Sequence, residues 1–164
     1  DRVPIDKIRL MTEKEYYVRG CTALLDAIGG AIHHIGNVHK YARDEDRPEK
    51  TLFIITTDGM ENSSKRYSFD QVKRMVKRQK EKYGWEFLFL GANMDAIDVA
   101  GRFGIASDRA VNYECDARGT EVNFRALCKA VSRVRSCDIE DMPEALSCDW
   151  KEEIEADYIA RHKR

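Results

Sequence analysis

Five consecutive residues, Thr51-Leu52-Phe53-Ile54-Ile55, are apolar or β-branched and run straight into Thr56-Thr57-Asp58-Gly59. A strand with one wet face alternates polar with apolar; this one does not, so it reads as a central strand buried on both faces of a parallel sheet. Open parallel sheets bind ligands in the crevice beyond the carboxyl ends of their strands, which makes Asp58 the first candidate functional side chain. The competing role for Asp58 is structural, a turn aspartate ahead of a permissive glycine.

Elements of both periods flank this strand. From Val3 to Leu10 the apolar residues Val3, Ile5, Ile8 and Leu10 sit in a broken alternation around Pro4, which suits an edge strand or its remnant. The run Tyr16-Tyr17-Val18-Arg19-Gly20-Cys21-Thr22 reads as a loop that turns at its glycine, with Thr22 as the N-cap of a helix from Ala23 to about Tyr41. That helix carries Leu24, Ile28, Ala31, Ile32, Ile35 and Val38 on one stripe. Its glycines, Gly29, Gly30 and Gly36, each cost about 1 kcal/mol against alanine and point to close packing of helix on sheet. Arg43 to Lys50, charged and holding Pro48, is a surface loop.

Beyond the strand, Ser68-Phe69-Asp70-Gln71 has the form of a capping box, opening a helix from Phe69 to Tyr83 with Val72, Met75, Val76 and Tyr83 inward. Its outer face, basic from Lys73 to Lys82, reads as a solvated surface rather than a phosphate contact. Gly84 ends the helix, and Trp85 to Leu90 form a second buried strand running into Gly91-Ala92-Asn93-Met94-Asp95. A helix through Ile97, Val99, Ala100 and Phe103 is closed by Gly104. A short third strand, Ala110 to Tyr113, belongs at a sheet edge. The helix from Thr120 to Arg135 presents Phe124, Leu127, Val131 and Val134 to the core.

Alternating strands and helices predict an α/β fold with a doubly wound, mostly parallel, Rossmann-like sheet over residues 1–136. Residues 137–164 read as an acidic linker and a C-terminal amphipathic helix, an appendage with Trp150, Ile154 and Tyr158 on one side.

Charge excludes some partners. With 28 Lys plus Arg against 29 Asp plus Glu, the net charge of -1 gives no global field toward nucleic acid or a membrane. Five cysteines without a C-x-x-C pair point away from a disulfide framework and toward a reducing cytoplasm. No apolar run approaches the roughly 18 residues of a membrane span. An enzyme would show a nucleophile beside a base or paired carboxylates; neither pattern occurs, and no G-x-G-x-x-G follows a strand, so no catalysis is expected. His33, His34 and His39 lie on one helix at spacings that diverge, which disfavours a histidine metal site.

Two strings carry a resemblance. Gly20-Cys21-Thr22-Ala23-Leu24-Leu25-Asp26-Ala27-Ile28 and, one helix later, Ile54-Ile55-Thr56-Thr57-Asp58-Gly59 resemble the second and third metal-site loops of von Willebrand factor A domains, most nearly the cytoplasmic bacterial ones. The likeness continues through Gly91-Ala92-Asn93 and the next helix, roughly from Asp1 to Ser136. It implies a protein–protein interaction module in which Mg²⁺, or Mn²⁺ or Ca²⁺, captures a carboxylate of a protein partner. By position, Thr22 would offer its hydroxyl and Asp58 its carboxylate, hard oxygens suited to such an ion. Glu61 and Asn62 would line the rim, and Asn93 and Asp95 would stand behind it.

The family's first loop, Asp-x-Ser-x-Ser, is absent from these 164 residues, so the metal site is expected to be incomplete and metal binding weak or absent. By the same likeness the chain is expected to begin inside the third strand, near Val3. The strand at Thr51 would then lack a neighbour, and an unpaired apolar edge predicts a homodimer. Two other functions fit the residues: a phosphate- or nucleotide-handling α/β enzyme using Asp58, and a metal-independent assembly module using the tail helix.

Overall fold

The computed structural model describes residues 3–12, 14 and 20–162; the expected loop from Tyr16 to Arg19 falls outside them. Three parallel strands, β1 (Leu52–Thr57), β2 (Glu86–Gly91) and β3 (Ala110–Asn112), form one sheet in the order β1-β2-β3. Leu52 pairs with Glu86 and Thr57 with Gly91, while Phe89 pairs with Ala110 and Gly91 with Asn112. All three strands therefore end side by side, and the loops that follow them share one rim.

The pleat sends alternate residues to opposite faces. On one face Phe53, Ile55, Phe87 and Phe89 pack under α1 (Leu24–Tyr41), α2 (Phe69–Tyr83) and α3 (Ala96–Arg102). On the other, Leu52, Ile54, Leu88, Leu90 and Val111 meet α4 (Ala117–Ser136), the short α5 (Met142–Ala145) and α6 (Glu152–His162). The chain is thus a mixed α/β structure with helices on both faces of a parallel sheet.

The middle strand is β2, whose residues from Phe87 to Gly91 are all buried. Contrary to the sequence reading, β1 is an edge strand among the described residues: only Ile55 and Thr57 are buried, and Thr56 is exposed. Its apolar run reflects contact on both faces, Phe53 and Ile55 with one cluster and Leu52 and Ile54, half-buried, with the margin of the other. The expected strand near Val3 is instead a 3₁₀ turn over Ile5–Lys7, closed by Lys7 N–H donating to Pro4 O at 2.9 Å, and Val3, Ile8 and Leu10 are exposed. Pro4 has no N–H to offer a ladder.

The capping box on α2 forms as read: Ser68 Oγ accepts from Gln71 N–H while the Gln71 side chain accepts from Ser68 N–H. Gly84 ends that helix in the left-handed conformation at φ 64°. Two inward assignments are corrected. Tyr83 and Phe124 are exposed, and the buried stripe of α4 joins the expected Leu127 and Val134 to Val122, Ala126 and Ala130. Phe124 lies about 120° around the helix from that stripe's centre, so it falls outside a face that was otherwise read correctly at Leu127 and Val134.

The tail is packed rather than appended. Met142, Leu146, Trp150 and Ile154 are buried in the same cluster as Leu88, Leu90 and Val111. Arg109 fastens this layer. Its guanidinium donates to the carbonyls of Leu146 and, at 2.8 Å, Pro143, and pairs with Glu86 at 3.1 Å and Asp108 at 2.6 Å.

Candidate functional site

The rim at the carboxyl ends of the strands is built by three loops that hold one another. Asp58 follows β1 directly and its carboxylate is exposed. Thr57 turns the chain there, its hydroxyl donating to Gly59 O at 2.9 Å. The loop before α1 lies against this turn: a β-carbon built on Gly59 would stand 2.7 Å from Thr22 Oγ1. Only glycine leaves room for the threonine hydroxyl at that approach.

Backbone exchange fixes the contact. Thr22 N–H donates to Asn62 Oδ1 at 2.9 Å, and Asn62 N–H returns to Thr22 O at 3.0 Å. Thr22 is not the N-cap of α1, as the sequence reading had it. Ala23 holds that position without a side-chain bond, and the cap comes from across the chain, where Glu61 accepts from Leu25 N–H at 2.8 Å. Glu61 also takes Ser63 N–H, Ser64 N–H and Ser64 Oγ. Burial works to raise its pKa, but the donors from Leu25, Ser64 and Ser63 together hold it below the ordinary value.

The expected rim residues are therefore largely committed to structure. Asn62 and Glu61 close the loop, and Asp95 caps α3 by accepting from Ile97 and Asp98 N–H. Asn93 adopts a left-handed φ of 57° and donates from Nδ2 to Asp58 O at 3.3 Å. It steadies the backbone that carries Asp58.

Two participants were missed. Asp26, in the first turn of α1, accepts from Lys65, Arg66 and Tyr67 N–H at 2.9, 2.8 and 2.9 Å. The Lys65 amide leads in lowering its pKa; slight burial opposes it, and the Arg66 and Tyr67 amides and the Arg66 charge add to the lowering. Its sequence signal was an acid near a helix start, which reads only as a dipole partner. Cys115, after β3, places Sγ 3.8 Å from Asp58 Oδ2; nothing in the sequence joins those two loops.

The third loop is also anchored. Asp116 caps α4 through Gly119 N–H at 2.7 Å and meets Arg161 of α6 at 2.5 Å, while Glu114 lies 3.2 Å from His162 Nε2. On the far side of the molecule, His39 packs edge-on against Trp85 with ring centroids 5.4 Å apart, and His33 and His34 are exposed.

Thr22 and Asp58 thus bring a hydroxyl and a carboxylate to one rim, the right kind of donor for a hard cation and too few for a closed shell. Among the described residues no group of three His, Cys, Asp or Glu stands close enough to hold a metal ion. Cys115 at Asp58 is a soft donor that such a cation does not favour. Among the described residues no helix is long and apolar enough to cross a membrane. Compared with protein-family models, with curated proteins and with solved structures, the chain matches none.

Proposed function

We propose that this chain is a protein-interaction module of the von Willebrand factor A kind, binding a partner at the rim that carries Thr22 and Asp58. The observation that supports the reading is the seating of Thr22 against the Asp58-Gly59 turn, two loops 36 residues apart in sequence. The Glu61, Asn62 and Asp26 bonds brace the rim, so an exposed carboxylate is offered on a hydrogen-bonded frame.

A divalent ion would draw on Thr22 Oγ1 and Asp58 here and would supply positive charge for a partner's carboxylate. The remaining oxygens must come from outside this pair, because the neighbouring acids Glu61 and Asp95 already serve backbone amides. The proposal involves no catalysis.

The test is paramagnetic broadening by millimolar Mn²⁺ in amide spectra of the full chain. Signals of Thr22, Gly59 and Asn93 should broaden first, and Thr22→Ala and Asp58→Ala should each abolish the effect. Broadening centred elsewhere, or unchanged in both variants, refutes the assignment.

A further inference from the structure

The two edges of the sheet are treated very differently. At β3 the outer edge is short and guarded: buried Lys151 donates from Nζ to Ala110 O at 3.0 Å and to Ser107 O at 2.9 Å. At β1 the strand is six residues long and, among the described residues, strand pairing reaches it only from β2. It carries no proline, no charge and no bulge between Leu52 and Thr57. Leu52 and Ile54 touch the cluster under α4 to α6 yet stay only half-buried, and Thr56 beside them is exposed. Natural sheets blunt an edge like this unless something pairs with it.

We infer that β1 is a homodimer interface, pairing antiparallel with β1 of a second copy about a two-fold axis through Ile54 to make one six-stranded sheet. The inference does not rest on the metal-site reading, though its register brings Lys50 of the second copy beside Asp58. An antiparallel edge is complementary to itself, so two copies satisfy each other and assembly stops at two. The sequence fits that register. Ile54 faces Ile54, Leu52 faces Thr56, and the flanking Lys50 faces Asp58 of the second copy, so opposite charges meet at both ends and no like charges oppose. Lys50 is already held in place, its ammonium bonded to Val134 O at 2.8 Å and Cys137 O at 2.5 Å.

A competing occupant exists in the exposed apolar segment that holds Val3, Ile8, Leu10 and Met11. Its broken alternation around Pro4 and its 3₁₀ turn make it the poorer match for a six-residue ladder.

The experiment is light scattering on the full chain at micromolar concentration, with Ile54→Lys and Ile54→Glu. The native chain should show twice the monomer mass. Each variant should be monomeric, since like charges would face across the axis, and an equimolar mixture of the two should recover the dimer. That recovery separates a broken interface from a broken fold. In an Ile54→Cys variant, opposed α-carbons about 5 Å apart should oxidise to a covalent dimer linked at the substituted position, mapped by mass spectrometry. A native monomer overturns the inference, as does a dimer that survives Ile54→Lys or a mixture that stays monomeric. A monomer whose β1 amides resist hydrogen exchange would give the edge to the segment around Val3 instead.

Discussion

Thr22 Oγ1 occupies the space that a side chain on Gly59 would need, 2.7 Å from the ideal β-carbon position. The two residues belong to loops joined by α1 and a charged surface segment, and their fit sets where the hydroxyl stands relative to Asp58.

Gly59→Ala should therefore destabilise the protein by about 1–2 kcal/mol, because the threonine must rotate or the turn must move. In a Thr22→Ala background most of that cost should vanish. Chemical denaturation of the four proteins in a double-mutant cycle measures the coupling; additive effects would mean that the two loops do not touch.

Two glycines of α1 should respond in opposite directions. A β-carbon on Gly29 would lie 2.6 Å from the Tyr67 ring, whereas one on Gly30 meets nothing within 4 Å. Gly30→Ala should stabilise by roughly 0.5–1 kcal/mol through helix propensity alone. Gly29→Ala should cost about 1–3 kcal/mol despite the same propensity gain. Thermal melts of both variants check the sign of each.

Acid should loosen the rim before the core. Asp26 and Glu61 both have pKa values held below ordinary, Asp26 chiefly by the Lys65 amide and Glu61 by donors that outweigh its burial. A depressed folded pKa contributes stability that is full above the unfolded value, about 4 for carboxylates, and is lost as pH falls through the folded one. Asp26→Asn and Glu61→Gln should each flatten the acid limb of stability against pH. Near neutral pH, Glu61→Ala should cost about 1–2 kcal/mol, the loss of a helix cap.

Arg109→Ala should be among the most damaging single changes, at about 3–5 kcal/mol, since it strands the buried carbonyl of Leu146, releases that of Pro143 and leaves Glu86 without its cation. Guanidinium denaturation gives the number. A loss under 1 kcal/mol would show that the tail layer is held by apolar contact alone.

Magnesium alone should give no heat at micromolar concentration, because two oxygens do not offset this ion's reluctance to shed water. Calorimetry is the measurement. Tight binding that persists in Thr22→Ala and Asp58→Ala would put the metal at another place.

Much of the architecture was legible because its signals are local. The capping box at Ser68, the stop at Gly84 and the strand at Trp85 depend on neighbours in sequence, and each forms within a residue or two of its expected place. Asp58 was legible for the same reason, as a carboxylate at a strand's end. Sheet order was not, because a run like Leu52 to Ile55 carries no mark that distinguishes a middle strand from an edge strand with apolar contacts on both faces. The roles of Glu61 and Asp26 were hidden by distance, since each serves amides 36 to 41 residues away. A helix cap supplied from another loop has no local pattern to read. The burial of Trp150 and Ile154 under β3 was hidden likewise, by a tail whose acidic opening looked solvated.

On the proposed function, the three amides gathered by Asp26 bear on the speed of recognition. A loop that must find its shape after contact adds a slow unimolecular step to every encounter, and its partner's arrival rate then saturates with concentration. Here the segment from Lys65 to Tyr67 is tied to the start of α1 beforehand. A partner binding at Asp58 as proposed would meet a surface already set, and its observed rate of capture should rise in proportion to its concentration, with selectivity expressed in how long it stays.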